Sequence, residues 1–470
     1  MPVPSWVQDA VFYQVFPDRF FNGDQSNDPA NVQPWGSEPT IWNFMGGDLR
    51  GIINKIDYLL DLGVSAIYLN PIFQSASNHR YNISDYFKID PKLGSMEDFR
   101  ELLEQAHANN LRVILDGVFN HCGRGFFAFY DLMENQQFSP YKEWFHVNKY
   151  PIHAYGAGKS EDYESWWGFK SLPKFNTKNP AVRRYIMDVA QYWIEQGADG
   201  WRLDVPNEID DDDFWAEFRH TVKSINRDTF IFGEIWEAEA RWVGETHFDG
   251  LMNYPLRDAL LGLIEKDSIN ISNFTIKIDE LFDIYPPENM YSMYVPLGSH
   301  DTERLLTRLG GNIEKAKLLY AFQFAFPGAP AIYYGDEIGL QGGKDPECRG
   351  CFPWDVDQWN WGLRDWIRKL IMVRKNQIAL RQGDFNPIRI DGNKEVYAFT
   401  RKFREESVLV FINPNANHQN VEINIEGFSW QSRNLVTGLL GTEKFSLTED
   451  TVSIKLPAWG AAWIGRDKSI

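Results

Sequence analysis

Apolar residues recur along this chain in short, near-continuous runs, separated by longer stretches with a single apolar face. The runs fall at Val11–Phe16, Ala66–Pro71, Val113–Val118, Gly200–Asp204, Phe230–Glu234, Gly250–Asn253, Tyr294–Gly298 and Ala331–Tyr334. Runs without polar alternation are expected of strands in a parallel sheet covered on both faces. Between them, helical periodicity predicts helices over Leu49–Leu62, Met96–Asn109, Ala181–Glu195, Asp213–Asn226, Pro255–Glu265 and Ile313–Phe326. Eight strands alternating with helices predict an α/β fold of the (β/α)8 TIM-barrel kind, with its site at the C-terminal strand ends. A doubly wound sheet is the alternative, but no Gly-rich phosphate turn follows an early strand.

Two segments break this rhythm. Residues 122–175 follow the third strand without a clear helix and are rich in aromatics, among them Phe126, Trp144, Trp166, Trp167 and Phe169. So long a connection inside a compact domain is usually functional, and this one reads as an inserted subdomain walling the site. From 384 onward the pattern turns to alternation, as in Val396–Thr400, Val408–Ile412, Val421–Ile425 and Thr451–Leu456. That predicts a C-terminal antiparallel β-sandwich. The expected division is therefore a barrel over 1–121 and 176–383, an insert over 122–175, and a sandwich over 384–470.

The strand tips carry the chemistry. In Gly200–Glu208 the fourth strand closes on Asp204, and Arg202, two residues earlier, shares its face. A guanidinium beside a carboxylate favours the ionised form, so Asp204 is expected to have a depressed pKa. The third strand runs into Asp116 and His121, the fifth into Glu234 and Trp236, the seventh into His300 and Asp301. One such pair could be structural. Four polar tips on one rim are not explained by packing, because buried charges are costly unless paired or used.

Composition narrows the partner. The 470 residues carry a net charge of −18, which argues against nucleic acid or an anionic membrane. The 18 Trp and 20 Tyr exceed core needs and suit stacking against flat amphipathic ligands such as sugar rings. No run reaches transmembrane length, the first residues lack signal-peptide character, and three cysteines give no disulfide framework. A cytoplasmic protein is expected.

The motifs DGVFNH (116–121), GWRLDVPNE (200–208), GEIW (233–236) and GSHD (298–301) resemble those of the α-amylase family of glycoside hydrolases. The resemblance implies Asp204 as nucleophile, Glu234 as general acid/base, and Asp301 as the carboxylate that orients substrate hydroxyls. It implies that Arg202, His121 and His300 hold the nucleophile and the sugar being cleaved, and that Tyr81, beside His79, stacks under that sugar. A retaining mechanism needs one ionised carboxylate and one protonated carboxyl, and burial beside other carboxylates suits Glu234 to the second role. No organic cofactor is implied.

Finer stretches, LPKFN (172–176), FMGGDL (44–49) and YGDEIGLQGGKDPECR (334–349), resemble the neopullulanase, cyclomaltodextrinase and maltogenic amylase branch. By that resemblance Asp345 and Arg349 line the non-reducing-end subsites, and Asn207 and Glu208 face the leaving group. Trp236, His79, Trp166 and Trp167 complete the expected substrate surface. Pro206 and Cys351-Phe352 depart from the branch's usual residues. Members usually carry an N-terminal β-sandwich, whereas this chain starts at the first barrel strand. An open acceptor side that admits α-1,6 branch points is the expectation, with no dimer of the domain-exchanged kind.

The expected substrates are maltooligosaccharides and branched or cyclic α-glucans, cleaved at α-1,4 or α-1,6 bonds. Transglycosylation is the alternative, and a non-catalytic amylase-like binding protein is disfavoured because all three carboxylates are present. Asn22, Asp24, Asn27 and Asp28, with Gly46 and Asp48, offer the hard oxygens that Ca2+ takes and resemble a calcium site of this branch; an Asx-rich turn is the plainer reading. Asp210–Asp213 reads as a helix cap, and Cys348-x-x-Cys351 as a loop pair without metal or redox context.

Overall fold

All eight apolar runs form strands in the computed structural model, which describes residues 2–265, 269–390, 395–425, 436–441 and 444–466. They are β1 (Phe12–Val15), β2 (Ala66–Leu69), β3 (Arg112–Gly117), β4 (Gly200–Leu203), β5 (Phe230–Gly233), β6 (Gly250–Leu251), β7 (Tyr294–Pro296) and β8 (Ala329–Tyr333). All neighbours pair in parallel, in the order β6-β5-β4-β3-β2-β1-β8-β7. A parallel bridge between Met252 and Tyr294 joins the two ends and closes the barrel.

Aromatic rings and small residues fill the lumen together. Phe12, Tyr68, Phe230, Phe232 and Tyr294 pack with Ala66, Ala329 and Ala331, and Phe232 stacks on Tyr294 at 5.0 Å. A Cβ at Gly200 would come within 2.2 Å of the Phe230 carbonyl oxygen, so the close approach of β4 to β5 requires glycine. This is a packed core with no axial channel for substrate, which confines the site to the rim.

The surrounding helices start where capping chemistry sets them. Ser95 and Asp98 form a capping box on Met96–Ala108, and Asn179 caps Pro180–Glu195 with proline in its first turn. Asp211 accepts from the Phe214 amide at the start of Asp212–Ile225, the role expected of that acidic run. The helix expected over Leu49–Leu62 is broken at Lys55 into two. Two helices, Ile271–Ile284 and Trp361–Asn376, were not foreseen.

The insert also differs from expectation, since it contains a helix, Phe127–Asn135. That helix has no side-chain N-cap, and its sequence FAFYDLMEN is apolar on most sides, so neither usual signal marks it. Phe129 holds it against Phe145 and Tyr163, each at 5.0 Å. Bridges His121–Lys174 and Phe145–Phe175 return the insert to the barrel.

Beyond the barrel lie two antiparallel sheets, built from β9 (Asp384–Ile388), β10 (Tyr397–Phe403), β11 (Glu406–Ile412), β12 (Gln419–Asn424), β13 (Val436–Gly438), β14 (Phe445–Leu447), β15 (Thr451–Leu456) and β16 (Ala461–Arg466). The five-stranded sheet runs β9-β10-β11-β16-β13 and the three-stranded one β12-β15-β14. Alternate side chains such as Leu409, Phe411, Val421, Val452 and Ile454 form one shared core, as a sandwich requires. Among the described residues, no helix is long and apolar enough to cross a membrane.

Candidate active site

Barrel register brings the polar tips level. Asp116 on β3 lies opposite Arg202 on β4, and Leu203 opposite Gly233 on β5. Asp204 and Glu234 therefore leave adjacent strands at the same height. The fully buried Arg202 guanidinium serves three carboxylates at once. Its Nη1 donates to Asp116 Oδ1 and to Asp204 Oδ1, both at 2.9 Å, and its Nη2 pairs with Glu234 Oε2 at 3.0 Å. Between the strands, the Val205 amide donates to Glu234 Oε2 at 3.2 Å.

A hydrogen-bond chain fixes the opposite wall. Gln14 on β1 donates to His300 Nδ1 at 2.9 Å, which leaves the ring proton on Nε2. That nitrogen lies 2.6 Å from the Tyr81 hydroxyl and 3.0 Å from Asp301 Oδ2. Tyr81 in turn donates to Asp116 Oδ2 at 2.8 Å, as Tyr68 does at 2.6 Å. Asn70 accepts from Gln14 at 3.1 Å and donates to the Tyr81 hydroxyl oxygen at 3.0 Å. The Tyr81 ring stacks on His300 at 5.4 Å and on His79 at 5.9 Å. Burial pushes His121 and His300 down to about 3, so both are neutral donors or acceptors at ordinary pH.

The carboxylates differ in their surroundings. Burial raises Glu234, and although Arg202 opposes this, Asp301 and Asp116 reinforce it. Asp301 is held low, because His300, Arg349 and Arg202 outweigh its burial. Asp204 departs from expectation: burial raises it well above the ordinary carboxylate value despite Arg202, with Glu234, Asp116 and Asp301 adding to the rise. The expectation counted one guanidinium against one carboxylate, whereas Arg202 is shared among three, and a cluster of this kind titrates as a unit.

The remaining expected residues fall into two flanks. On one, Arg349 donates to Asp301 Oδ1 at 3.2 Å and pairs with Asp345 at 3.0 Å. On the other, Glu208 pairs with Lys174 of the insert at 3.2 Å, and Asn207 is exposed on the same short turn. Trp236 lies flat on Tyr254, ring centres 3.8 Å apart. A stack runs outward from buried His121 through Trp166, 5.7 Å away, to Trp167, 4.7 Å further. Trp167 is 71% exposed. Cys348 donates to the His300 carbonyl at 3.2 Å, and all three cysteines are buried and free.

Gln14, Tyr68, Asn70 and Val205 belong to this network and were not among the expected site residues, while Asp116, expected only as a strand-tip carboxylate, proves to be a partner of Arg202, Tyr68 and Tyr81. Of the unexpected residues, Gln14 carried a signal, as a polar residue inside the apolar run FYQVF.

The suspected cation ligands come together in a separate hydrogen-bond cluster. Asp48 accepts from the amides of Gly23, Asp24 and Gly51 and from Asn27 Nδ2, while Asn22 Nδ2 donates to both oxygens of Asp28. Gly46 has φ +82°, and a Cβ there would sit 2.2 Å from Asp28 Oδ1. The amide oxygens of Asn22 and Asn27 are buried without a hydrogen-bond partner. Among the described residues, no three His, Cys, Asp or Glu cluster as a metal site, so any ion here would rest largely on amide and carbonyl oxygens, which suits Ca2+.

Known proteins agree with this architecture. Residues 14–377 match the α-amylase catalytic domain, and residues 390–463 match the maltogenic amylase C-terminal domain. A cyclomaltodextrinase of Geobacillus thermopakistaniensis is 43% identical over 97% of this chain and 77% of its own length. The cyclic α-maltosyl-(1→6)-maltose hydrolase of Arthrobacter globiformis superposes with a TM-score of 0.90 at 40% identity, covering 99% of this chain and all of that one. The debranching enzyme of Nostoc punctiforme does so with a TM-score of 0.90 at 39% identity, covering 99% of both chains. With its barrel, strand-tip carboxylates and C-terminal domain all matched, the chain belongs to the α-amylase family of glycoside hydrolases.

Proposed function

We propose that the protein hydrolyses α-glucan oligosaccharides by double displacement with retention, Asp204 being the nucleophile and Glu234 the acid/base. The observation that carries this reading is the shared guanidinium of Arg202, which aims two carboxylates from adjacent strands at one place on the rim. An Asp204 oxygen attacks the anomeric carbon as its bond to the glycosidic oxygen breaks, and the Glu234 proton passes to that oxygen. Water then attacks the same carbon, Glu234 takes its proton, and Asp204 departs as carboxylate. The raised Glu234 supplies the acid, and the ionised Asp301 orients sugar hydroxyls. Burial is the main cause of the rise at Asp204, and holding the proton on Glu234 removes one of the facing charges that add to it, which favours Asp204's ionisation.

We further propose that branched and cyclic α-glucans with α-1,6 links are good substrates, since two solved relatives covered along their whole length are named for debranching and for a (1→6)-linked cyclic maltoside. The exposed Trp167 and Trp236 would stack on acceptor glucose units. Chromatography of the products from pullulan, cyclodextrins and branched maltooligosaccharides tests this, and exclusive cleavage of α-1,4 bonds in unbranched substrates would contradict it.

The Asn22–Asp28 segment with Gly46 and Asp48 is proposed to hold Ca2+, using the two unpartnered amide oxygens. Such an ion would cross-link two loops and take no part in bond cleavage. The free cysteines suit a cytoplasmic setting.

A further inference from the structure

Trp42 is 78% exposed and its neighbour Ile41 48% exposed, in a segment that none of the chemistry above uses. The segment is nevertheless firmly built. Thr40 Oγ1 accepts from the amides of Trp42 and Asn43, at 3.2 and 3.1 Å. Buried Asn78 donates to the carbonyls of Thr40 and Asn43, at 3.1 and 2.7 Å, and so grips the chain on both sides of Trp42. Further back, Trp35 Nε1 donates to the Phe352 carbonyl at 3.0 Å. An exposed indole on a backbone fixed this well has paid its ordering entropy before any ligand arrives.

Barrel topology says which end of the cleft this is. The segment follows β1, whose neighbours in the ring are β2 and β8. The loop after β2 carries Asn78, His79 and Tyr81, and the loop after β8 carries Asp345 and Arg349. The segment bridges those two loops, four strands away from β5, which carries Glu234 and Trp236. A glucan with its leaving-group end toward Trp236 must run out on the opposite side, past Arg349 and toward Trp42.

We propose that Trp42 is a positioning residue for the non-reducing part of an α-glucan chain, stacking on a glucose several units from the bond that is cut. This rests on the hydrolase reading above. An indole face matches the apolar face of a pyranose, and its contact is available only to chains long enough to reach it. The protein would then select for length on the donor side.

The test compares wild type, W42A and W42F on maltotriose and maltoheptaose. The expected result is an approximately tenfold loss of kcat/KM for maltoheptaose in W42A, carried by KM, with maltotriose changed less than twofold and W42F restoring most of the loss. Equal losses on both substrates would indicate a structural role, and no loss on either would remove Trp42 from the substrate path; both overturn the proposal. Calorimetric binding of maltoheptaose and maltose to E234Q and E234Q/W42A reads the same contact without turnover. An enzyme that failed to cleave α-glucans would refute the hydrolase reading, while the ratio of Kd values would still decide this one.

Discussion

Val205 adopts φ +37° and ψ +51°, and in that conformation its amide hydrogen-bonds Glu234. A β-branched residue in the left-handed region is strained by about 1–2 kcal/mol. The strain turns the chain sharply after Asp204, so that a backbone donor meets the carboxyl on the next strand. V205N, with a side chain that tolerates this region, should raise stability by about 1 kcal/mol and leave kcat within a few-fold. A denaturant melt decides the first point, and destabilisation would mean that the Val205 side chain contributes more by packing than its backbone costs.

Much of the site was legible because chemistry sits at strand ends and strands announce themselves. The eight apolar runs located β1 to β8 within a few residues; Asp204 and Glu234 close their runs, and Asp301 lies three residues beyond the end of the seventh. What spacing could not show was the sharing of Arg202. Asp116 and Glu234 reach it from other strands, and burial of Asp204, reinforced by these neighbouring carboxylates, reverses the shift expected for it. The helix Phe127–Asn135 was invisible because neither a cap nor a clean apolar stripe marks it. The helices Ile271–Ile284 and Trp361–Asn376 carry asparagine caps and amphipathic patterns, so both were legible in the sequence.

Burial raises the Glu337 carboxyl to about 7, where it accepts from Tyr13 at 2.8 Å and Tyr58 at 2.5 Å. Because the folded value lies above the unfolded one, the folded state binds the extra proton. The associated stability is complete below about pH 4.3 and is lost as pH rises through about 7. E337Q keeps an acceptor for both tyrosines without the charge. Its stability relative to wild type should therefore grow from pH 5 to 8, toward an upper bound of about 3 kcal/mol. A pH-independent difference would show that Glu337 is not the titrating group.

Among the described residues Arg374 forms no salt bridge; it donates to the carbonyls of Phe324, Leu380 and Gly328 at 2.7 to 2.9 Å. Arg401 of β10 likewise donates to Ala325 and Leu380. Both cap the C-terminal carbonyls of the helix Ile313–Ala325, where a cation is favoured. R374M should destabilise the protein by several kcal/mol by leaving buried carbonyls unpaired, with kcat of the surviving folded enzyme unchanged at low temperature. A melting curve superposable on wild type would contradict this.

If Ca2+ binds Asn22, Asn27 and their neighbours, chelation should lower Tm by linkage while leaving kcat nearly unchanged at low temperature. D48N should abolish the calcium-dependent part of Tm. Identical melting curves in chelator and in excess calcium would exclude the ion.

Removing Asp204 or Glu234 should separate their roles. D204N and E234Q should fold normally and lose several orders of magnitude in turnover. Azide should rescue D204G with inverted product and E234G with retained product. Near-normal activity in either amide variant would contradict the assignment.

The most direct measurement is to trap the glycosyl-enzyme with a 5-fluoro-α-glucosyl fluoride and map the adduct by peptide mass spectrometry. Stoichiometric label on the peptide bearing Asp204, absent from D204N, is the predicted result. Label on another carboxylate, or a first-formed product of inverted anomeric configuration, would contradict the account.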